Sequence, residues 1–95
     1  MVLNNGVHDS VGGQPTVGFD INFCDIALAC GYRSAVVVKS SESIVEAIAY
    51  ASAHEGPHFI DIHVRPGNRS DIGRPTTTPS QNKEGIMKYL GSWRD

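Results

Sequence analysis

The chain has 95 residues, a mass of 10.2 kDa and a formal net charge of -2, which limits it to a single compact unit, because so short a chain cannot supply two cores. With 40% hydrophobic and 19% charged residues it has the composition of a folding chain, and eight Lys and Arg against ten Asp and Glu exclude the concentrated positive field that nucleic acid needs. No apolar run reaches the roughly 18 to 20 residues that span a bilayer, and the start MVLNNG has neither the basic flank nor the apolar stretch of a signal peptide, so the default expectation is a cytoplasmic protein.

Val2 and Leu3 read as the tail of a strand that runs into Asn4 and Asn5, a pair that disfavours strand continuation. Residues 6–18 carry four glycines and one proline, a loop long enough to be functional. Asp20 is the expected N-cap of a first helix, in which Phe23, Ile26, Ala27 and Cys30 recur on one face and Gly31 closes the C-terminus. Ala35, Val36, Val37 and Val38 form a continuous apolar run, the pattern of a strand covered on both faces. A second helix is predicted from Ser43 and Glu46 at capping-box spacing, or from Ser41 slightly earlier, with Ile44, Ala47, Ile48 and Ala51 as its stripe and Gly56-Pro57 as its stop. Phe59, Ile60, Ile62 and Val64 predict a third strand, broken at Pro66 and Gly67. Thr78, Pro79 and Gln81 then match a capped helix start, and Ile86, Tyr89, Leu90 and Trp93 line that last helix as core or interface.

Strands alternating with helices at this spacing predict an α/β fold with a mostly parallel sheet in βαβαβα order, in three layers. Three strands are few for such a sheet, so further strands and self-association through its edges are expected. Cys24 and Cys30, six positions apart on one helix, point about 120° away from each other and are expected to be reduced thiols that serve packing. His58 and His63 fall on opposite faces of a strand, which makes a histidine metal site there a poor expectation.

In open α/β sheets, ligands collect at the carboxyl ends of the strands. The loop at that place, NNGVHDSVGGQPT, offers a side-chain oxygen from Asn5, a tight turn at Gly6 and a backbone carbonyl at Val7, an oxygen set that suits a hard divalent cation; an ordinary Asn-Gly turn is the competing reading. His8, Asp9 and Ser10 follow: His8 could relay a proton and Ser10 hydrogen-bond an anionic substrate, or Asp9 and Ser10 close a turn beside a solvated His8. Residues 65–75 gather Arg65, Arg69 and Arg74 with one acid, Asp71, a candidate surface for an acidic substrate or else a solvated loop.

The string LNNGVHDSVGGQPT resembles the second half of the cofactor motif of thiamine-diphosphate-dependent 2-oxo acid decarboxylases, and together with GRPTTTP at residues 73–79 it is most similar to the phosphonopyruvate decarboxylase branch, with sulfopyruvate decarboxylases second. The resemblance runs from Val2 to about Gly91. It implies that residues 1–95 form part of a C-terminal thiamine-diphosphate-binding domain, with Asn5 and Val7 as ligands to Mg²⁺, Gly6 between them, and the cofactor held by its diphosphate. The implied reaction is decarboxylation of a small 2-oxo acid, phosphonopyruvate to phosphonoacetaldehyde and CO₂, with His8, Ser10 and Arg74 as substrate-facing candidates. The chain departs from the family pattern in having no GDG triplet, whose aspartate is the other protein ligand to Mg²⁺, and no pyrimidine-binding domain. The chain alone is therefore expected to be inactive, either a truncated piece or a small product descended from such an enzyme, whose parent is an oligomeric carboxy-lyase. The alternatives are a sulfopyruvate decarboxylase, or a stand-alone binding or assembly module that kept the fold and lost the chemistry.

Overall fold

The computed structural model describes residues 1–94, with side chains through Ser92. Three parallel strands form one sheet in the order β1-β5-β4: β1 (Val2–Asn4), β4 (Ser34–Val38) and β5 (His58–His63). Two shorter strands, β2 (Val7–His8) and β3 (Gln14–Pro15), pair antiparallel within the first loop around a 3-10 turn at Asp9–Val11. The helices are α1 (Phe23–Ala29), α2 (Ser41–Ala53) and α3 (Pro79–Arg94).

Alternation along β4 and β5 separates two faces. Val38, Ile60 and Ile62 form a buried cluster under Ile44 and Ala47 of α2. The opposite face carries Phe59, against which Tyr32, just after α1, packs edge-on, and Asp61, which lies near Cys24 of α1. The two helices thus sandwich the sheet, and the predicted mostly parallel α/β fold is the observed one.

Several local expectations are corrected. Asn4 belongs to β1 and is buried, instead of lying beyond it, because its backbone carbonyl continues the ladder by accepting from Val64 N–H at 2.9 Å. Asn22, not Asp20, caps α1, accepting from Asp25 N–H at 3.0 Å; a turn in which Asp20 and Ile21 N–H both donate to Val17 O carries Asp20 away from the helix end. Cys24 and Ala27 face the sheet while Ile26 and Cys30 are exposed, so the buried stripe of this two-turn helix is narrower than its apolar pattern. Gly31, at φ +93°, ends α1 as expected, with its N–H on Leu28 O and Tyr32 N–H on Ala27 O in a Schellman closure. The capping box of α2 forms between Ser40 and Ser43, one turn before the expected pair, because a serine at the third helical position returns the bond that a glutamate would otherwise make.

The run Ala35–Val38 is not covered on both faces: β4 is an edge strand, and Val36 and Val37 remain 42% and 41% exposed. Thr78 and Gln81 make the predicted capping box of α3 reciprocally, at 2.8 and 3.2 Å. Its expected apolar stripe is unpacked, with Ile86, Tyr89 and Leu90 exposed, and the Trp93 side chain lies outside the described residues. Among the described residues no helix is long and apolar enough to cross a membrane.

Both cysteines are free thiols. Burial first, then the carboxylates of Asp61 and Asp25, push the Cys24 thiol above its ordinary value. Iodoacetamide at neutral pH should therefore label exposed Cys30 well before Cys24, as mass spectrometry of partly alkylated protein would reveal; equal labelling would mean that α1 does not pack on β5.

Candidate functional site at the carboxyl ends of β1 and β5

Asn4 pairs in register with His63, and Val38 with Ile62, so all three parallel strands end along one rim. The loop that leaves β1 is fastened there by Asn4. Its Nδ2 donates to Gly18 O at 2.6 Å and its Oδ1 accepts from Gly6 N–H at 3.1 Å, joining the two ends of the loop through one buried amide. Both glycines are required by this packing. Gly6 has φ +71° and any Cβ there would come within 2.5 Å of the Phe19 ring, while a Cβ on Gly18 would lie 2.6 Å from Asn4 Oδ1. Asn4→Ala strands the Gly6 N–H and the Gly18 carbonyl, and should lower stability by about 1–3 kcal/mol. A urea midpoint unchanged from the parent chain would show that water replaces the amide without cost.

Asn5 emerges immediately after the strand. Its Nδ2 donates to Asp9 Oδ2 at 2.7 Å and its Oδ1 accepts from Val7 N–H at 3.2 Å, which orients the amide within the turn. Val7 stands opposite Pro15 in the β2–β3 hairpin. Thr16 N–H donates to Gly6 O at 2.8 Å, which makes Val7 and Pro15 a non-hydrogen-bonded pair of the ladder, so the Val7 carbonyl points away from β3, while the His8 carbonyl accepts from Gly13 N–H at 2.8 Å. Two oxygens are thus presented on the turn: the Asn5 side-chain oxygen, with one lone pair committed, and the Val7 main-chain oxygen.

Asp9 also accepts, through the same Oδ2, the N–H of Gly67 at 3.0 Å, which ties the loop after β1 to the segment after β5. Beside this bond lies a cavity of about 430 Å³ whose lining includes Asp9, Ser10, Asn68, Arg69 and Arg74. The fold therefore brings together two of the substrate-facing candidates, Ser10 and Arg74, from positions far apart in sequence. His8 is exposed and lies outside that lining. Arg69 Nε is 3.2 Å from Asp71 Oδ1, so the segment's one acid is engaged, while Arg74 makes no ion pair among the described residues. Arg65 lines a separate open depression with Pro66 and Arg69.

A further polar pair went unrecognised in the sequence. Asp61, 2% exposed in the central strand, lies 3.1 Å from His63 Nε2 through Oδ2, and its Oδ1 has no hydrogen-bond partner. The His63 ring packs at 4.8 Å against Phe19, the residue that Gly6 also touches. The alternation Ile60-Asp61-Ile62-His63 was the available signal: it marks a strand whose second face carries polar groups into a covered layer. Among the described residues, no three or more His, Cys, Asp or Glu side chains converge on a common centre.

A family model described as the C-terminal TPP-binding domain of thiamine pyrophosphate enzymes matches residues 1–62, from before the Asn5 turn to the end of β5's buried stretch. The chain belongs to this family. Two curated relatives are phosphonopyruvate decarboxylases. That of Streptomyces viridochromogenes is 41% identical over 81 residues, 85% of this chain and 20% of the relative. That of Streptomyces hygroscopicus is 40% identical over the same length and shares. The chain thus spans about a fifth of the length of the curated relatives it matches. The thiamine pyrophosphate family match includes Asn5, Gly6 and Val7 and stops before the arginine segment at residues 65–75.

Proposed function

We propose that this chain forms the diphosphate-side part of the cofactor site in a decarboxylase acting on phosphonopyruvate, in which Asn5 Oδ1 and the Val7 carbonyl would hold the Mg²⁺ ion that accompanies the diphosphate of thiamine diphosphate. The observation that carries this reading is the turn itself: two uncharged oxygens offered at the carboxyl end of a parallel strand, one of them turned out of its hairpin ladder by the register of β2 on β3. Hard oxygen donors with open positions fit Mg²⁺, which retains water and phosphate oxygens in the rest of its octahedron.

When bound, the cofactor supplies an electron sink for the pair released as CO₂ leaves a 2-oxo acid. The chain's own residues bind and orient. Gly6 lets the backbone turn tightly against Phe19, Asn4 holds the loop ends together, and Arg74 with Ser10 offers a charged fork and a hydroxyl to the phosphonate oxygens. The names of the two Streptomyces relatives support phosphonopyruvate over sulfopyruvate. Both sheet edges, β1 and β4, carry exposed apolar side chains such as Leu3 and Val36, which supports a parent assembly in which further strands, a pyrimidine-binding domain and a second subunit complete the site.

The test is a graft. This chain replaces the matching segment of the S. viridochromogenes enzyme, and CO₂ release is measured with phosphonopyruvate and with sulfopyruvate in the presence of Mg²⁺ and thiamine diphosphate. Turnover of phosphonopyruvate is the expected result. Preference for sulfopyruvate would reassign the substrate. A folded graft that fails to bind the cofactor would leave the chain a binding or assembly module.

A further inference from the structure

An asparagine amide presents an oxygen and a nitrogen of nearly equal size, and nothing in its covalent geometry decides which of them faces a cation. In this chain the decision is made by a carboxylate four residues on. Resting on the reading of Asn5 as a metal ligand, we propose that Asp9 is a positioning residue that sets the Asn5 amide with its oxygen toward the ion and at the same time couples the diphosphate turn to the arginine segment.

The geometry is specific. Asp9 Oδ2 accepts from Asn5 Nδ2–H at 2.7 Å, a charge-assisted bond, while Asn5 Oδ1 accepts from Val7 N–H at 3.2 Å. Turning the amide over would set Oδ1 against the carboxylate and Nδ2 against an N–H, so both neighbours oppose it. The same Oδ2 accepts from Gly67 N–H at 3.0 Å, across 58 residues of sequence. Gly67 has φ +106°, a conformation that a residue with a side chain rarely adopts, and it opens the segment that carries Arg69 and Arg74. Asp9, Arg69 and Arg74 line one cavity. One oxygen atom therefore fixes the rotamer of a proposed metal ligand and the starting point of the proposed anion-binding segment. Partners that orient a metal ligand typically affect metal affinity by about 10–100-fold.

Two measurements on Asp9→Ala and Asp9→Asn test this. In ¹⁵N-labelled full chain, Asp9→Ala should shift the Asn5 side-chain NH₂ resonances and speed hydrogen exchange at Gly67 at least about tenfold, while the amides that pair β4 with β5 keep their protection and so report an intact fold. Asp9→Asn keeps an acceptor oxygen in place and should recover part of both signals. In the graft described above, Asp9→Ala should weaken Mg²⁺-dependent thiamine diphosphate binding by about 10–100-fold and raise the KM for phosphonopyruvate, with Asp9→Asn intermediate. Unchanged Asn5 and Gly67 signals in Asp9→Ala would overturn the clamp. If Asn5→Ala weakens cofactor binding but Asp9→Ala leaves it unchanged, the positioning role is wrong and the reading of Asn5 stands. If neither weakens it, both are wrong.

Discussion

Asn5→Ala, introduced into the graft with the Streptomyces enzyme, should weaken Mg²⁺-dependent binding of thiamine diphosphate by at least about 100-fold, because even the outer partners of metal ligands contribute about 10–100-fold and this change deletes the proposed ligand itself. Little of the loss should arise from unfolding. Asn5 is only half-buried, its amide bonds only within its own loop, and the fastening of that loop to the sheet belongs to Asn4. Asn5→Asp keeps an oxygen for the ion but sets a second carboxylate against Asp9 Oδ2, and should bind between the parent and Asn5→Ala. Isothermal titration of cofactor at fixed Mg²⁺ distinguishes the two; equal affinity in the parent, Asn5→Ala and Asn5→Asp forms would remove Asn5 from the site.

Arg74→Ala should act on the other half of the chemistry, raising the KM for phosphonopyruvate by at least about 100-fold while leaving cofactor affinity unaltered, since a guanidinium on a dianionic group makes two charge-assisted bonds of roughly 1.5–3 kcal/mol each. Arg74→Lys should recover only part, because an ammonium cannot match two phosphonate oxygens in one plane. Arg69→Ala should have the smaller effect, as that guanidinium is already held by Asp71 at 3.2 Å. Steady-state kinetics on the three variants decides the point: equal KM values for Arg74→Ala and Arg69→Ala would mean that the two arginines share the substrate or that neither touches it.

The parts of this fold that were legible in the sequence are those whose causes are local. The Thr78 and Gln81 box, the glycine closure at Gly31 and the parallel α/β order follow from spacing within one or two turns, and each stands in the structure as read. The cap of α1 was misread because Asp20 and Asn22 are both short and polar, and the choice between them is made by the turn at Val17. The exposure of Val36 and Val37 depends on which strand became the edge, which no window along β4 contains.

The site divides in the same way. Asn5, Gly6 and Val7 stand together at a strand's carboxyl end because they are consecutive, and a three-residue motif needs no long-range information. The partners that hold the motif were invisible for the opposite reason. Asn4 reaches Gly18 across 14 residues and Asp9 reaches Gly67 across 58, and neither bond leaves a periodic trace in the chain. The outward carbonyl of Val7 has the same character: it follows from the hairpin register that bonds Thr16 to Gly6, which no window along β2 contains.

The most direct test is a crystal structure of the graft with Mg²⁺ and thiamine diphosphate. The account predicts an octahedral ion in contact with both phosphates, about 2.1 Å from Asn5 Oδ1 and from the Val7 carbonyl oxygen. A diphosphate bound at this rim with its ion coordinated by neither atom would contradict it.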